Sequence, residues 1–336
     1  MPARSTEPAR PARPPRVVHD IDQLPVGLRF VLAIGMFDGV HRGHRRIIAA
    51  LMRAAARFDA EPVVLTFHPH PALVLRGSAP PLLCDPAERL ALLGALGVST
   101  IVVQRFDHDF ADQPPEAFLE RLCSGRGLAA LVMTAESAFG RDRAGSLAAI
   151  RRLAPELGFR VIEVSRLASH GLTVSSTVLR SWLAAGRLAD VRRLLGRPYA
   201  VVGRVARGDA RGRGLGYPTA NLDLAEPVAL PADGIYAVRV SWDGARPLEL
   251  ARHADGVASL GVRPTFGAGA RTFEVHLFEV DEDLYGTRLR VEFVRRLRGE
   301  RRFASAAALV RQMDRDAARA RSLLRSNGTT GRLARH

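Results

Sequence analysis

Two histidines three positions apart lie in a glycine-rich segment that directly follows an apolar run. Residues 35–44 are GMFDGVHRGH, and the histidines are His41 and His44. The segment leaves a predicted buried strand and enters a predicted helix, where an open α/β sheet forms its ligand crevice. Glycine permits close approach of a ligand to the backbone, and a helix N-terminus offers unpaired N–H groups to a phosphate. Both imidazoles fall on one side of the first helical turn, so they could donate hydrogen bonds to one phosphate.

Two other interpretations of this histidine pair stay open. Histidines at positions i and i+3 can form half of a metal site, but the spacing of other residues indicates no third ligand. They can also be two surface residues of a turn. Glycines on both sides of the pair favour phosphate binding.

A second glycine-rich segment lies in the C-terminal half. Its glycines Gly208, Gly212, Gly214 and Gly216 could surround phosphates with backbone N–H groups. The chain contains no lysine, which excludes both the Walker A loop and the strand lysine of protein kinases. A flexible linker is the alternative interpretation of this segment.

Directly after these glycines, Thr219 and Asn221 offer neutral oxygen atoms within the sequence Pro-Thr-Ala-Asn, residues 218–221. Residues two apart lie on one side of an extended segment. Mg²⁺ accepts such ligands when nucleotide phosphates supply the negative charge. An ordinary turn is the alternative to a metal site.

Glu274 stands in a predicted strand in which apolar and polar residues alternate. Phe273, Val275 and Leu277 form the apolar set, so Glu274 points away from the core. A carboxylate there could act as a general base. A solvated strand face is the commoner role of a single glutamate.

The elements that must position these residues change type near Gly186. From Phe30 onward, short apolar strands alternate with amphipathic helices, which predicts a parallel sheet covered on both faces. Beyond Gly186, alternating runs separated by turn residues predict a small antiparallel β-barrel, followed by a helix over 305–324. The predicted parts are a disordered tail 1–16, an α/β domain 17–186, a connector 187–197, a barrel domain 198–325 and a tail 326–336.

Charge and composition limit the function classes. The formal net charge is +15, but arginine occurs in all segments, so nucleic acid is not the expected partner. The two cysteines, Cys84 and Cys123, form neither a disulfide framework nor a zinc cluster. No signal peptide or membrane span is recognisable. We therefore expect a cytoplasmic protein, and a weak homo-oligomer stays open.

The motifs together resemble those of the bacterial bifunctional riboflavin kinase/FAD synthetase family. The stretch 35–44 resembles the HxGH signature of nucleotidyltransferases, and 66–71 (TFHPHP) and 175–180 (SSTVLR) resemble further motifs of the same domain. The segment 203–221 resembles the riboflavin kinase signature that ends in PTAN, and the similarity continues through 273–277 (FEVHL). The resemblance implies a Rossmann-like nucleotidyltransferase domain followed by a β-barrel riboflavin kinase domain with a C-terminal helix.

The resemblance also implies the reactions and the residues that take part. The barrel would phosphorylate riboflavin to FMN with ATP and Mg²⁺, and the first domain would join FMN to AMP, giving FAD and pyrophosphate. Glu274 would be the catalytic base of the kinase, with Thr219 and Asn221 at the metal, and His41 and His44 would stabilise the adenylyl transfer. The other implied ATP and phosphate contacts are Gly35, Phe37, Asp38, Gly39, Gly43, Ser175, Ser176, Thr177 and Arg180. The four glycines Gly208, Gly212, Gly214 and Gly216 are also implied, and the segment that holds them is called the flap below. The implied flavin-side residues are Thr66, His68, His70, Glu136 and Phe139.

One segment departs from the family pattern. Where the family has GxDFxFG, residues 134–140 are TAESAFG, so Thr134, Glu136 and Ser137 replace glycine, aspartate and phenylalanine. This leaves three hypotheses: the bifunctional enzyme, a riboflavin kinase whose FAD synthetase half is weakened or lost, and a basic nucleic-acid-binding or regulatory protein on the same scaffold. An assay of FAD formation from FMN separates the first two hypotheses.

Overall fold

The computed structural model describes residues 14–169, 172–207, 216–244, 248, 252–262 and 271–326. The described residues form two compact units, one within the bounds Met1–Pro80 and Pro86–Val174, the other within Pro81–Asp85 and Ser175–His336. The units divide at Val174, earlier than the predicted boundary at residue 186. The reason is packing: the helix after Ser175 contacts the next helix, and the Leu183 carbonyl accepts a hydrogen bond of 3.0 Å from Ala232 N.

The first unit is built on a six-stranded parallel sheet with the order β1-β4-β3-β2-β5-β8. Its strands are β1 Arg16–Val18, β2 Arg29–Ile34, β3 Glu61–His68, β4 Thr100–Arg105, β5 Gly127–Met133 and β8 Arg160–Glu163. Two short pairs lie outside it, β6 Ala138–Phe139 with β7 Gly145–Ser146, and β9 Ala168–Ser169 with β10 Leu172–Thr173. The helices are α1 Arg42–Phe58, α2 Pro71–Arg76, α3 Pro86–Ala95, α4 His108–Ala111, α5 Pro115–Cys123 and α6 Leu147–Leu153.

Apolar residues fill both faces of this sheet, as predicted. In β2, Phe30 and Leu32 belong to one buried cluster, whereas Val31 and Ala33 belong to the cluster on the opposite face. A strand buried on both sides has no polar face, which explains its continuous apolar sequence. The prediction of a parallel sheet with two covered faces is confirmed.

The second unit contains a closed six-stranded antiparallel barrel with the order β11-β12-β15-β14-β13-β16. The strands are β11 Tyr199–Ala206, β12 Ala220–Asp223, β13 Gly234–Trp242, β14 Arg252–Val262, β15 Arg271–Leu277 and β16 Arg288–Arg298. The helices are α7 Ser176–Ala184, α8 Leu188–Leu195 and α9 Ala306–Ser326. Helix α9 packs on the barrel through Ala317, Ala320 and Leu324, which bury Ala237 and Leu297. The predicted barrel and its C-terminal helix are confirmed.

The ends of the predicted tails differ in detail from the structure. Arg16, assigned to the N-terminal tail, already belongs to β1, where its N–H donates to Ser99 O at 2.8 Å. Arg16 belongs to the sheet because its backbone pairs with β4, and its polar side chain gave no sign of this in the sequence. At the other end, α9 extends through Ser326, while residues 1–13 and 327–336 lie outside the described part. No helix among the described residues is long and apolar enough to span a membrane.

Candidate active sites

The loop between β2 and α1 is a tight left-handed turn. Gly35 N donates to Leu65 O at 3.0 Å, and a short 3₁₀ turn follows at Asp38–Val40. Phe37, Gly39 and Val40 have φ angles of 48°, 74° and 40°, a region that glycine adopts freely and valine rarely. Asp38 is 2% exposed, so it belongs to the interior of the turn.

His41 caps α1 and stacks on His44. The Nδ1 atom of His41 accepts a hydrogen bond of 3.2 Å from the backbone N of His44. The two ring centroids are 3.6 Å apart with 17° between the planes, and Phe37 meets the His44 ring edge-on at 5.3 Å. The two histidines of the motif are therefore brought together at a helix N-terminus, as the spacing predicts.

The hydrogen bond sets the proton position of His41, and burial affects the charge of His44. Since Nδ1 of His41 accepts, the proton of the neutral imidazole is on Nε2, which leaves Nε2–H as a donor. Burial and the neighbouring His41 hold the pKa of His44 well below its ordinary value of 6.5. The Nδ1 atom of His44 is buried and makes no hydrogen bond. His41 is therefore a neutral ring that donates through Nε2–H, and the His44 ring is uncharged at neutral pH.

Gly43 makes the ring stack sterically possible. A Cβ atom at position 43 would lie 3.1 Å from Cε1 and Nδ1 of His41 and 3.4 Å from the Val174 carbonyl. Few Cβ atoms have contacts as close as 3.1 Å, so a larger residue would displace the His41 ring. The presence of glycine at this position of the HxGH motif is therefore explained by local steric contacts.

A carbonyl beneath the loop is held by two buried side chains. Thr66 Oγ1 and Arg89 Nη1 each donate to Met36 O at 3.2 Å. Thr66 has no exposed surface and Arg89 is 3% exposed. Thr66, which the sequence assigned to the flavin side, thus supports the loop in this structure.

The two histidines after β3 have different surroundings. His70 caps α2, because its Nδ1 accepts from Ala72 N at 3.1 Å. His68 is the last residue of β3 and is exposed. The structure places both at the carboxyl edge of the parallel sheet, where its ligand crevice is expected.

A cleft of about 260 Å³ opens at this edge of the first unit. Both residues that the sequence assigned to the flavin side of this segment, Glu136 and Phe139, line it. Glu136 forms an ion pair of 2.7 Å with Arg166, and its carbonyl accepts from Arg143 at 3.0 Å. Arg143 and Arg166 line the cleft as well, and the remaining lining residues are Ile34, Gly35, Phe67, Leu131, Val132, Met133, Thr134, Ser137 and Ala138.

The segment that departs from the family pattern forms a closed turn in the wall of this cleft. Ser137 Oγ accepts from Thr134 N at 2.9 Å and lies 3.0 Å from Thr134 Oγ1, while Ser137 N donates to Thr134 O at 3.0 Å. The two hydroxyl residues therefore replace a glycine and an aromatic residue with a turn fixed by hydrogen bonds.

A row of aromatic rings runs beside the cleft. Phe67 contacts Phe106 and Phe110, Phe110 contacts Phe118, and Phe118 contacts Phe139, with ring centroids 5.3–5.9 Å apart. The rings meet edge-to-face or at a tilt, which favours rigid packing. They connect β3 and α5 to the wall of the cleft.

The SSTVLR segment belongs to the second compact unit. Ser175 caps α7, since its Oγ accepts from Val178 N at 3.3 Å. Arg180 Nε donates to Pro81 O at 2.7 Å. Ser176 and Thr177 form the first turn of α7. The predicted role of this segment in anion binding stays a prediction.

In the barrel, three candidate residues come together, two on adjacent strands and one directly before the first of these strands. Asn221 of β12 faces Glu274 of β15 in the strand register, and Thr219 Oγ1 lies 3.4 Å from Glu274 Oε2. Glu274 is half-buried, while its neighbours Phe273 and Val275 are buried. The predicted alternation is confirmed, and the carboxylate lies outside the barrel core.

The segment before Thr219 is held by β15 and α9. His276 Nδ1 lies 2.8 Å from Pro218 O, and the ring of Tyr217 meets that of His276 at 5.0 Å. The hydroxyl of Tyr217 donates to the Asp314 carboxylate. Partial burial and this hydrogen bond raise the pKa of Tyr217 to about 12, so the phenol stays protonated at neutral pH.

The flap is described only in part. Gly216 is exposed and has a φ of 79°, and a Cβ atom added at this position would have no other atom within 4 Å. Gly208, Gly212 and Gly214 lie outside the described residues. Their predicted contact with phosphates stays a prediction.

The barrel group fits a magnesium ion that is bound mainly by substrate. Thr219, Asn221 and Glu274 offer hydroxyl, amide and carboxylate oxygens, which are hard ligands, but only one full charge. No group of three His, Cys, Asp or Glu residues arranged for a metal occurs in the described ranges. Such a donor set needs the phosphates of a nucleotide to complete the coordination.

Comparison with known proteins identifies the family. A riboflavin kinase model matches residues 195–324, and a FAD synthetase model matches residues 27–178. A bifunctional riboflavin kinase/FMN adenylyltransferase of Escherichia coli K12 is 36% identical over 308 residues, which cover 91% of this chain and 96% of that protein. The chain belongs to the bifunctional riboflavin kinase/FMN adenylyltransferase family.

Another member of the riboflavin kinase/FMN adenylyltransferase family and a solved structure are also similar to this chain. The Pseudomonas fluorescens protein is 37% identical over 295 residues, covering 87% of this chain and 92% of its own length. The crystal structure of a macrolide-efflux protein from Streptococcus pneumoniae has a TM-score of 0.81 at 28% identity and covers 92% of this chain and 99% of its own. The family and fold class predicted from the motifs are confirmed.

Sequence reasoning missed three residues that support the sites of this riboflavin kinase/FMN adenylyltransferase family member. Arg89 carries no local signal, since its carbonyl partner at Met36 is distant in sequence. Tyr217 directly precedes PTAN, and His276 follows Glu274 on the same strand face. For Tyr217 and His276, the signal in the sequence was their position beside recognised motifs.

Proposed function

We propose that this chain phosphorylates riboflavin to FMN in its barrel unit and adenylylates FMN to FAD in its parallel-sheet unit. The observation that carries the proposal is that one chain holds both arrangements. Asn221 and Glu274 face each other on two barrel strands, with Thr219 just before the first of them, and His41 and His44 stack at the start of α1. Family membership over about nine-tenths of the chain supports both activities.

In the kinase reaction, Glu274 acts as the general base. Its carboxylate takes the proton of the riboflavin 5′-hydroxyl while that oxygen bonds to the γ-phosphorus, and the bond from this phosphorus to ADP breaks. Thr219 and Asn221 would hold Mg²⁺, which would neutralise charge on the nucleotide phosphates when bound. Gly216 and the glycines before it would cover those phosphates with backbone N–H groups.

In the adenylyl transfer, the protein needs no nucleophile of its own. A phosphate oxygen of FMN attacks the α-phosphorus of ATP, and pyrophosphate leaves. His41 donates through Nε2–H, and the N-terminus of α1 adds its free N–H groups. Gly35, Gly39 and Gly43 allow the backbone to approach the nucleotide, and Phe37 supports the His44 ring.

The flavin and nucleotide contacts assigned from the sequence are part of the same proposal. Glu136 and Phe139 line the cleft, which would take the flavin ring, and His68 and His70 lie at the same sheet edge. Ser175, Ser176, Thr177 and Arg180 would contact phosphate at the start of α7. These assignments are supported by the motifs and by the geometry of each unit taken separately.

Two assays test the proposal. Purified protein is incubated with riboflavin, ATP and Mg²⁺, and separately with FMN, ATP and Mg²⁺, and flavins and pyrophosphate are quantified. We expect FMN and FAD in the first mixture, and FAD with equimolar pyrophosphate in the second. FMN formation without FAD would favour a riboflavin kinase with a lost second activity. Formation of neither product would refute the proposal.

The alternative of a nucleic-acid-binding protein has a distinct signature. Binding through arginine and phosphate would weaken steeply as salt rises. Titration of labelled RNA and DNA at two salt concentrations measures this directly. We expect no specific complex, since the family match and both sites concern flavin chemistry.

A further inference from the structure

The tripeptide before β12 is not held by the strand ladder. Only Ala220 and Asn221 of β12 pair with β15, opposite Val275 and Glu274. Thr219 therefore lies just outside the pairing, although its hydroxyl is the atom that meets Glu274. Pro218 has no N–H group to contribute to a ladder. Something other than the sheet must hold this backbone.

His276 provides that contact. It lies two residues beyond Glu274 on the same face of β15, and its Nδ1 is 2.8 Å from the Pro218 carbonyl. A carbonyl oxygen only accepts, so Nδ1 carries the proton and donates. Pro218 O belongs to the peptide group that joins Pro218 to Thr219. The hydrogen bond thus fixes the peptide immediately before the hydroxyl residue.

We propose that His276 is a positioning residue for phosphoryl transfer in the barrel. By holding the Pro218 carbonyl, it keeps Thr219 Oγ1 beside the Glu274 carboxylate. His276 does not itself touch the substrate, and it acts through the backbone. This inference rests on the proposed kinase function of the barrel, and it adds a residue that the motifs do not assign.

Ring packing is the competing explanation for His276. Its ring meets Tyr217 at 5.0 Å and Phe278 at 5.8 Å, both edge-on. A packing role would depend on an aromatic ring at this position. A positioning role would depend on an N–H donor at the place of Nδ1.

Two variants separate these roles. His276→Phe keeps a ring but removes the donor, whereas His276→Asn removes the ring and places an amide N–H at the same number of bonds from Cβ. Loss of an outer-shell partner that orients a metal ligand typically costs roughly 10–100-fold in metal affinity or activity, and Thr219 is a proposed metal ligand. We expect His276→Phe to lower kcat for FMN formation by about that factor, with the KM for riboflavin within about twofold of wild type, and His276→Asn to restore most of the loss.

Controls show whether each variant is folded and whether the effect is local. Formation of FAD from supplied FMN reports on the other unit and should be unchanged in both variants. His253→Phe, at an exposed position of β14, tests a histidine substitution elsewhere in the barrel and should leave both activities unchanged. Wild-type kcat in His276→Phe would overturn the inference. Equal loss in both His276 variants would also count against it, because the retained donor would have made no difference.

The protonation state of His276 gives a second measurement that does not depend on activity. In the NMR spectrum of protein with ¹⁵N-labelled histidine, the signals of His276 are those that disappear in His276→Asn. We expect these signals to show a proton on Nδ1 at neutral pH. A neutral ring protonated on Nε2 alone would contradict the hydrogen bond. If wild-type protein makes no FMN, the proposed function fails, whereas normal wild-type turnover with unaffected variants rejects only the role of His276.

Discussion

The imidazole rings of His41 and His44 stack 3.6 Å apart, with His41 as the cap of α1 and His44 inside its first turn. Stacking places two titratable rings together, and burial keeps His44 neutral by lowering its pKa. His44 therefore carries no charge at neutral pH, and under the proposed function phosphate would be attracted by N–H donors and by the helix N-terminus. This arrangement makes the histidine pair sensitive to pH and to steric change.

Protonation of His44 should destabilise the fold. Its folded-state pKa lies well below the ordinary value of 6.5, so the unfolded chain binds more protons as the pH falls. Stability is therefore present above about pH 6.5 and is lost as the pH falls toward the folded pKa. We expect the melting temperature of His44→Gln to decline less between pH 7 and pH 5 than that of wild type, measured by thermal unfolding. Parallel curves for the two proteins would show that His44 does not titrate in this way.

A methyl group at position 43 should impair FAD formation selectively. In Gly43→Ala the new Cβ would lie 3.1 Å from the His41 ring, so the stack must shift, whereas alanine favours the helix by up to about 1 kcal/mol. We expect FAD formation from FMN to fall at least about tenfold while FMN formation and the melting temperature are retained. Gly127→Ala is the matched control, since its Cβ would have only ordinary contacts from 3.5 Å. A fully active Gly43→Ala enzyme would show that the stack tolerates displacement.

The sequence predicted the parts of the fold that depend on local patterns. Alternating strands and helices indicated the parallel sheet, and the residues flanking Glu274 indicated its exposed face. The division at Val174 was not predictable, because it depends on tertiary packing of α7 against α8. The support of Met36 by Arg89 was missed for the same reason, as a buried arginine on a helix looks like a surface residue until its distant carbonyl is known.

Removing the charge of Glu274 should abolish the kinase alone. Glu274→Gln keeps the shape of the side chain but cannot accept the hydroxyl proton, and general bases typically contribute roughly 10²–10⁴-fold to rate. We expect FMN formation to fall by about this factor, with FAD formation from supplied FMN unchanged, as measured by flavin separation. Glu279→Gln, at an exposed position after β15, is the control. Equal loss of both activities would mean that the two reactions are assigned to the wrong units.

The contact between the barrel and α9 includes a buried ion pair. Arg298 and Asp316 lie 2.8 Å apart, and their side chains are 11% and 8% exposed. Removing Arg298 leaves the buried Asp316 carboxylate without its cation, although Gln312 Nε2 still donates to it at 2.9 Å, and breaking a buried pair typically costs about 3–5 kcal/mol. We expect Arg298→Met to lose stability of this order in urea unfolding, and the double variant Arg298→Met with Asp316→Leu to recover much of it.

A surface ion pair supplies the comparison for this prediction. Arg151 and Glu163 approach to 2.6 Å but are 53% and 40% exposed, so solvent screens their attraction and exposed pairs contribute about 0–1 kcal/mol. Arg151→Met should change the unfolding midpoint little. Similar losses in Arg151→Met and Arg298→Met would show that burial does not determine the effect.

The turn between Thr134 and Ser137 should affect how the first unit binds FMN. Ser137 Oγ accepts from Thr134 N at 2.9 Å, and both residues line the cleft that also contains Glu136 and Phe139. Ser137→Ala removes the acceptor, so the cleft wall loses a hydrogen bond worth about 1 kcal/mol. We expect the KM for FMN in FAD formation to rise severalfold, with kcat for FMN formation unchanged. Ser124→Ala, at an exposed position after α5, should behave as wild type. An unchanged KM in Ser137→Ala would show that the turn does not contact the flavin side of the site, and the departure from the family pattern would then have no effect on substrate binding.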